Sequence, residues 1–291
     1  MKTQLRVGGV PEHFNLPWHQ AIDAGAFDEK GIDVVFTEFP GGTGAMTAAL
    51  AADELDAALL LTEGAVADIL GGSDNRLVSV YVDSPLIWGI HVAATSDIQD
   101  ASEIAGRRYA ISRHGSGSHL IAIVDAAARG FSTADMAFEI VGSLDGAREA
   151  LREGTADVFL WEKHMTQPLV DAGEFRRVGE RAVPWPAFVV SARRDYLAEH
   201  SAALRFVLGV VRSFAKELKI GKDSALLVSR TYDIDLADAE SWLEHVQWSG
   251  GTECPDDALL TVIDALQAQG VVAEQGPDAI TDIWQSLDAD E

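Results

Sequence analysis

The sequence predicts an α/β protein of two lobes with mixed, mostly parallel sheets, joined by two crossings and followed by C-terminal helices. Three observations carry that prediction. Short apolar or β-branched runs alternate with helical patterns from the N-terminus onward, the rhythm of parallel sheets covered by helices. The rhythm occurs in two blocks, which meet at crossings near residues 82–88 and 184–187. The remaining C-terminal stretch shows only helical spacing. The expected division is residues 1–88 with 187–291 as lobe 1, carrying the C-terminal helices, and 89–186 as lobe 2.

The elements follow in order. Residues 5–10 alternate as a strand, and 18–29 are helical in pattern, with Pro17 suited to a first turn and Gly31 to the stop. Residues 32–39 form a second expected strand. Gly41 to Gly44 open a helix reaching about Glu54, and 57–61 read as a buried strand. Residues 77–82 are a further strand, and 84–88 a turn before the apolar run 90–94. In the second block, strands are expected at 108–112, 138–141 and 158–161, with helices at 115–129, 145–153 and 164–172. Residues 188–191 read as a strand returning to the first block. Leu204, Val207, Leu208, Val211, Ala215 and Leu218 then share one helical face. So do Leu259, Val262, Ile263 and Leu266, closed by Gly270.

Composition narrows the function classes. The chain has 291 residues, 47% hydrophobic and 23% charged, which excludes disorder and low-complexity filaments. Cys254 is the one cysteine, so neither a disulfide framework nor a multi-cysteine metal knuckle is expected. Twenty-two basic against 46 acidic residues give −24, which disfavours phosphate backbones and anionic bilayers. No apolar run approaches membrane-spanning length, and the N-terminus shows no signal-peptide h-region. The chain as given is therefore expected to be cytoplasmic, or periplasmic if a leader has been removed.

The candidate site residues fall just after expected strands and before expected helices, where open α/β sheets bind ligands. In the first block these are His13, Asn15 and Trp18, then Gly42 and Thr43, then Thr62 and Glu63. Arg113, His114, Ser116, Gly117 and Ser118 form the second block's loop, and Trp161 and Glu162 follow its last strand. Ser84, Trp88 and Trp185 lie at the crossings. Amides at a helix start carry partial positive charge, glycine admits close approach, and the hydroxyls add donors; an anionic or accepting ligand group fits them. The same residues also suit ordinary helix caps. Neither glycine loop completes a dinucleotide fingerprint or a P-loop. Glu63 and Glu162 suit clamping an amino-bearing ring or acid–base work, against a plain capping role. The tryptophans suit stacking on a planar ring, or packing. His13, His114 and His119 lack metal-ligand spacing, so no metal and no cofactor are expected.

Several of these segments resemble a known family. Ala21-x-x-x-Gly25-x-Phe27-x-x-x-Gly31-Ile32-Asp33-Val34, Gly41-Gly42-Thr43-Gly44 and Glu54-Leu55-Asp56-Ala57-Ala58 are similar to the type II periplasmic-binding-protein superfamily. The branch resembled includes sulfonate and nitrate/taurine binders and the thiamine-pyrimidine proteins. Ser112-Arg113-x-Gly115-Ser116-Gly117-Ser118 is similar to that branch's second-lobe anion loop. Val10 to Phe14, Leu61 to Gly64, Ser84-Pro85-Leu86-x-Trp88, Phe159-x-Trp161-Glu162 and Pro184-Trp185-Pro186 look like a narrower subgroup that lacks signal peptides. The resemblance covers residues 1 to about 215.

What this implies is a solute-binding protein, of the kind that serves ABC transporters, closing on a small polar, ring-bearing anionic metabolite. Binding rather than catalysis is the expectation, and no catalytic residue is assigned. The alternative is a cytoplasmic enzyme, a lyase, hydrolase or precursor synthase, working in the same cleft. The resembled synthase's cysteine-rich motif is absent, and Cys254 lies outside every candidate loop. The expected partner is a small-molecule ligand, with a transporter or other protein left open, and with neither nucleic acid nor membrane insertion.

Overall fold

The computed structural model of the chain describes residues 2–134, 136–251, 253–276 and 278–287. Met1 and residues 288–291, the two ends of the expected lobe 1, lie outside the described residues. Two compact units form: Met1–Pro85 with Pro184–Glu291, and Leu86–Val183.

Unit 1 begins with β1 (Thr3–Gly9), α1 (Leu16–Asp23), β2 (Ile32–Glu38), α2 (Thr43–Ala51), β3 (Ala57–Leu61), α3 (Thr62–Leu70) and β4 (Asn75–Val82). The chain then builds unit 2 from β5 (Ile87–Ala93), β6 (Arg108–Ile111), α4 (Gly117–Ala128), β7 (Ala137–Ile140), α5 (Leu144–Glu153), β8 (Val158–Glu162), α6 (Gln167–Asp171) and β9 (Phe175–Ala182). It returns to unit 1 with β10 (Phe188–Arg193), α7 (Arg194–Ile220), α8 (Ser224–Tyr232), α9 (Leu236–His245), α10 (Asp256–Ala268) and α11 (Ala279–Ile283).

Each unit holds a mixed sheet, four strands parallel and one reversed. In unit 1 the order is β2-β1-β3-β10-β4, with β10 antiparallel to both neighbours. In unit 2 the order is β7-β6-β8-β5-β9, with β5 antiparallel to β8 and β9. The reversed strand is in each case the one that follows a crossing. Phe188 therefore sits beside Leu61 and Val82, and Ile87 beside Ala182. Both crossings thus join their sheets at the carboxyl edges of the parallel strands, the edge where the candidate loops also lie.

The core of unit 1 follows from strands buried on both faces, as parallel sheets require. Leu5, Val7, Leu59, Leu60, Leu77, Val189 and Val190 are closed from solvent, with Leu204, Val207, Leu208 and Val211 of α7 beneath α1. Ala110, Ala147, Leu151, Phe159 and Phe175 form the unit 2 counterpart. Burial of Leu or Phe at such positions contributes about 1.5–3 kcal/mol each.

Several boundaries differ from the sequence expectation. The first helix stops at Asp23 instead of running to residue 29. Gly25 takes φ 63°, and the amides of Ala24 and Gly25 close back on Gln20 and Ile22, ending the helix in a left-handed cap. The second helix starts at Thr43 and ends at Ala51, and α6 starts at Gln167 rather than at residue 164. Ile87 and Trp88, expected in a turn, already pair within β5. The strand β9 has no counterpart in the expectation. No helix among the described residues is long and apolar enough to cross a membrane.

Candidate functional site

At the carboxyl edge of the unit 1 sheet, the chain after β1 is folded tightly on itself. Asn15 Nδ2 donates to the Val10 carbonyl at 2.7 Å. A Cβ on Gly9 would come within 2.4 Å of Phe36 and 2.7 Å of Asn15, so any larger residue here would displace those side chains. His13 is closed from solvent inside an aromatic cage, its ring 4.8 Å from Phe14, 4.3 Å from Trp242 and 5.9 Å from Tyr232. Tyr81 Oη and Trp248 Nε1 both donate to the Phe14 carbonyl, at 2.6 and 3.1 Å. Trp18 is core: its ring packs 6.0 Å from Phe36 and is closed from solvent.

The starts of α2 and α3 adjoin. Gly42 takes φ 67°, opening α2 without a side-chain cap. Thr43 Oγ1 accepts from the Leu61 amide at 3.1 Å, tying the start of α2 to the end of β3. Thr43 Cγ2 lies 2.6 Å from where a Cβ on Gly64 would stand, so Gly64 permits the two helix starts to approach. Thr62 Oγ1 donates to the Pro186 carbonyl at 2.5 Å, and its amide donates to the Ala187 carbonyl. The returning crossing is thereby seated on the first turn of α3.

Glu63 lies in that first turn, 2% exposed, and accepts from Trp185 Nε1 at 2.9 Å through Oε2. Its Oε1 is buried without a hydrogen-bond partner. Burial pushes this carboxyl up to about 7, against the pull of its own amide and the Trp185 indole. A helix start favours carboxylate charge; here desolvation wins. Ser84, at the outgoing crossing, is held by the C-terminal segment: its Oγ accepts from the Gln247 amide at 2.9 Å. The Asp83 amide donates to the Gln247 carbonyl at 2.7 Å, and Trp248 bridges Val82.

In unit 2, the loop after β6 ends on the Ser116 cap of α4, whose Oγ accepts from the His119 amide at 3.3 Å. Ser118 Oγ lies 3.0 Å from Ser116 Oγ and accepts from the Ser112 amide at 3.0 Å. Gly115 takes φ 75°, and its amide donates to His119 Nδ1 at 3.0 Å. His114 and His119 stand edge to face, 5.2 Å apart, with Phe138 4.6 Å from His119. Gly117 is the first residue of α4 and is buried, as are Ser116 and Ser118. Half-burial lowers the Arg113 pKa. The amides at the start of this 12-residue helix carry partial positive charge.

Glu162 ends β8, opposite Trp88 of β5. Its Oε2 accepts from the Met165 amide at 2.7 Å. Burial pushes it up to about 7, against the amides of Met165 and His164 and the charges of Arg177 and Lys163. Trp88 is buried and Trp161 half-buried, the latter stacked on Phe159 at 5.2 Å. Each unit thus carries one buried, readily protonated carboxyl at the carboxyl edge of its sheet.

The residues that sequence reasoning missed are Tyr81, Tyr232, Trp242 and Trp248, which enclose the loop after β1. Two tryptophans within a polar helical stretch were the available signal. Cys254 precedes α10, and burial with Asp256 pushes its thiol up to about 12, far from a thiolate at neutral pH. Among the described residues no group of three or more His, Cys, Asp or Glu is placed to hold a metal ion.

Two mixed α/β sheets of this order, with helix starts and polar loops along their carboxyl edges, define the periplasmic-binding-protein fold, as the sequence resemblance implied. Comparison with known proteins agrees. A family model described as Ca3427-like PBP matches residues 88–181, most of unit 2. The Candida albicans CA3427 gene product, described as exhibiting the generic periplasmic-binding-protein fold, is 25% identical, with 97% of this chain and 94% of that one covered and a TM-score of 0.88. The alkanesulfonate-binding protein SsuA of Xanthomonas axonopodis pv. citri, solved with MOPS, is 18% identical over 97% and 98%, with a TM-score of 0.81. The periplasmic aliphatic sulphonate binding protein SsuA of Escherichia coli is 19% identical over 98% of each chain, with a TM-score of 0.73. No curated protein matches by sequence.

Proposed function

We propose that the protein is a solute-binding protein for a small polar metabolite, a ring bearing an anionic group. The observation that carries this reading is the shared edge. In both units the helix starts bearing glycine and hydroxyl residues, the buried carboxyl and the ends of the crossings lie at the carboxyl edge of that unit's sheet. The Ser116–Ser118 turn with Arg113 supplies an anion site, and the first turns of α2 and α3 supply amides. Glu63, with one unpartnered oxygen, suits a ring N–H or hydroxyl. The two units closing on the ligand is part of the proposal, as in hinge-bending binders. The sulfonate-binding relatives support an anionic ligand, and a membrane transporter is the partner that would receive the solute.

Titration calorimetry with MOPS, a ring-bearing sulfonate, and with simple aromatic carboxylates tests the reading. Binding should weaken at least about tenfold in the Ser116→Ala/Ser118→Ala variant, the scale of hydrogen bonds to a charged group. Indifference of the chain to every ring-bearing anion, together with scattering profiles unchanged by added compound, would remove this assignment.

One observation favours a second reading. Glu63 and Glu162, both raised to about 7, have the acidity of general acid–base catalysts at neutral pH. An enzyme on this fold would return an altered compound, so mass analysis of ligand recovered after incubation separates the two.

A further inference from the structure

Seven large aliphatic side chains stand exposed among the described residues, and four of them, Ile220, Leu226, Leu227 and Leu236, fall within residues 220–236. The stretch covers the junction of α7 with α8 and the start of α9. Its charge is as distinctive as its hydrophobicity. Lys216, Lys219 and Lys222 are three of the chain's six lysines. Residues 216–236 carry four basic and four acidic side chains, a balance of zero in a chain of −24. At the junction the surface is concave, an open groove of about 480 Å³ whose lining includes Lys222, Asp223, Leu226, Leu227 and Arg230. Lys219 is anchored there, its Nζ donating to the carbonyls of Leu243, Glu244 and Val246 at the end of α9.

Exposed aliphatic groups on a rim of mixed charge mark interaction surfaces. For most of this surface, a second copy would meet like charge within a screening length of about 8 Å and be repelled. In the groove lining that penalty is smaller, because Lys222 and Arg230 stand there with Asp223, although α9 beside it carries Asp238, Glu240 and Glu244. Charges of both signs stand beside the leucines, so Lys222 and Arg230 of one molecule can meet Asp223 of another while the aliphatic side chains leave water. We propose that the α7–α8 face is a self-association surface whose occupant is a second copy of this chain, in a two-fold pair using the same patch twice. A patch this small makes a weak pair, which forms at micromolar rather than nanomolar concentration.

Sedimentation velocity on the full chain at about 1 to 200 μM, a range suited to weak pairs, is the test. The expected result is a mass rising with concentration from 31.2 kDa toward twice that value. Leu227→Asp and, separately, Lys222→Glu should each shift the midpoint at least about tenfold upward, with unchanged far-ultraviolet circular dichroism. A monomer throughout the range would overturn the proposal. A pair insensitive to both substitutions would overturn it too, by placing the contact elsewhere. A monomer that instead sediments with vesicles of about one-third phosphatidylserine would reassign the face to an anionic bilayer.

Discussion

Trp185 and Glu63, 122 positions apart in the chain, are joined by an indole-to-carboxylate hydrogen bond of 2.9 Å. The bond fastens the returning crossing to the first turn of α3, and Thr62 reinforces it through Pro186 and Ala187. Because the carboxyl is buried and half satisfied, its protonation state bears on stability.

Glu63 is raised from 4.5 to about 7 in the folded protein. Between those values the folded state holds a proton that the unfolded state has released. Its contribution is therefore fully present below about pH 4.5 and lost as pH rises through about 7. The loss by pH 8 is on the order of 3 kcal/mol. Glu63→Gln keeps an acceptor for Trp185 and removes the titration. Urea unfolding of this variant should show a smaller fall from pH 5 to pH 8 than the parent; equal falls would contradict the assignment.

Trp185→Phe removes the donor and leaves the carboxylate oxygens of Glu63 without the indole. The expected cost is about 1–3 kcal/mol at pH 8, where the group is charged, and less at pH 5, where it is neutral. A cost independent of pH would show that the indole matters only for packing.

Gly64→Ala places a Cβ 2.6 Å from Thr43 Cγ2. Overpacking of this kind costs about 1–3 kcal/mol. Thr43→Ser deletes the offending methyl, and the next atom, Thr43 Cβ, stands at 3.5 Å. The double variant should recover most of the stability, and a double-mutant cycle by thermal unfolding reads the coupling. Additive losses would refute the contact.

Asp125 of α4 is 1% exposed and pairs with Arg129 at 2.7 Å and Arg181 of β9 at 2.6 Å. Asp125→Asn leaves both guanidinium groups without their carboxylate. The expected loss is about 3 kcal/mol, reduced somewhat because both arginines are partly wet. Chemical denaturation checks it; a change under about 1 kcal/mol would mean that the pair is screened.

Much of the fold was legible because its strands are short apolar runs bounded by turn residues. Ala57–Leu61 is the clearest case, flanked by Asp56 and Thr62. β9 was not legible because Phe175, Arg176, Arg177, Val178, Gly179 and Glu180 lack period-two alternation. Its pairing with β5 shifts register between Ile90 and His91, which breaks the pattern at the source. Glu63 could be picked out from its place between a strand and a helix, but its bond to Trp185 could not. Nor could the cage around His13, since Trp242 arrives from the far end of the chain. Thr43, Ser84, Ser116 and Ser118 were correctly placed beside helix starts or crossings, yet their hydroxyls are already engaged by backbone amides or each other.

The reversed strand β10 fixes a birth order for the molecule. Unit 2 is one continuous stretch, so every strand of its sheet has been synthesised once Ala182 has emerged. Unit 1 must wait, because the strand that joins β3 to β4 is made only afterwards. Until Arg193 leaves the ribosome, β4 has no neighbour in its sheet, and the older half of the chain is the last to close.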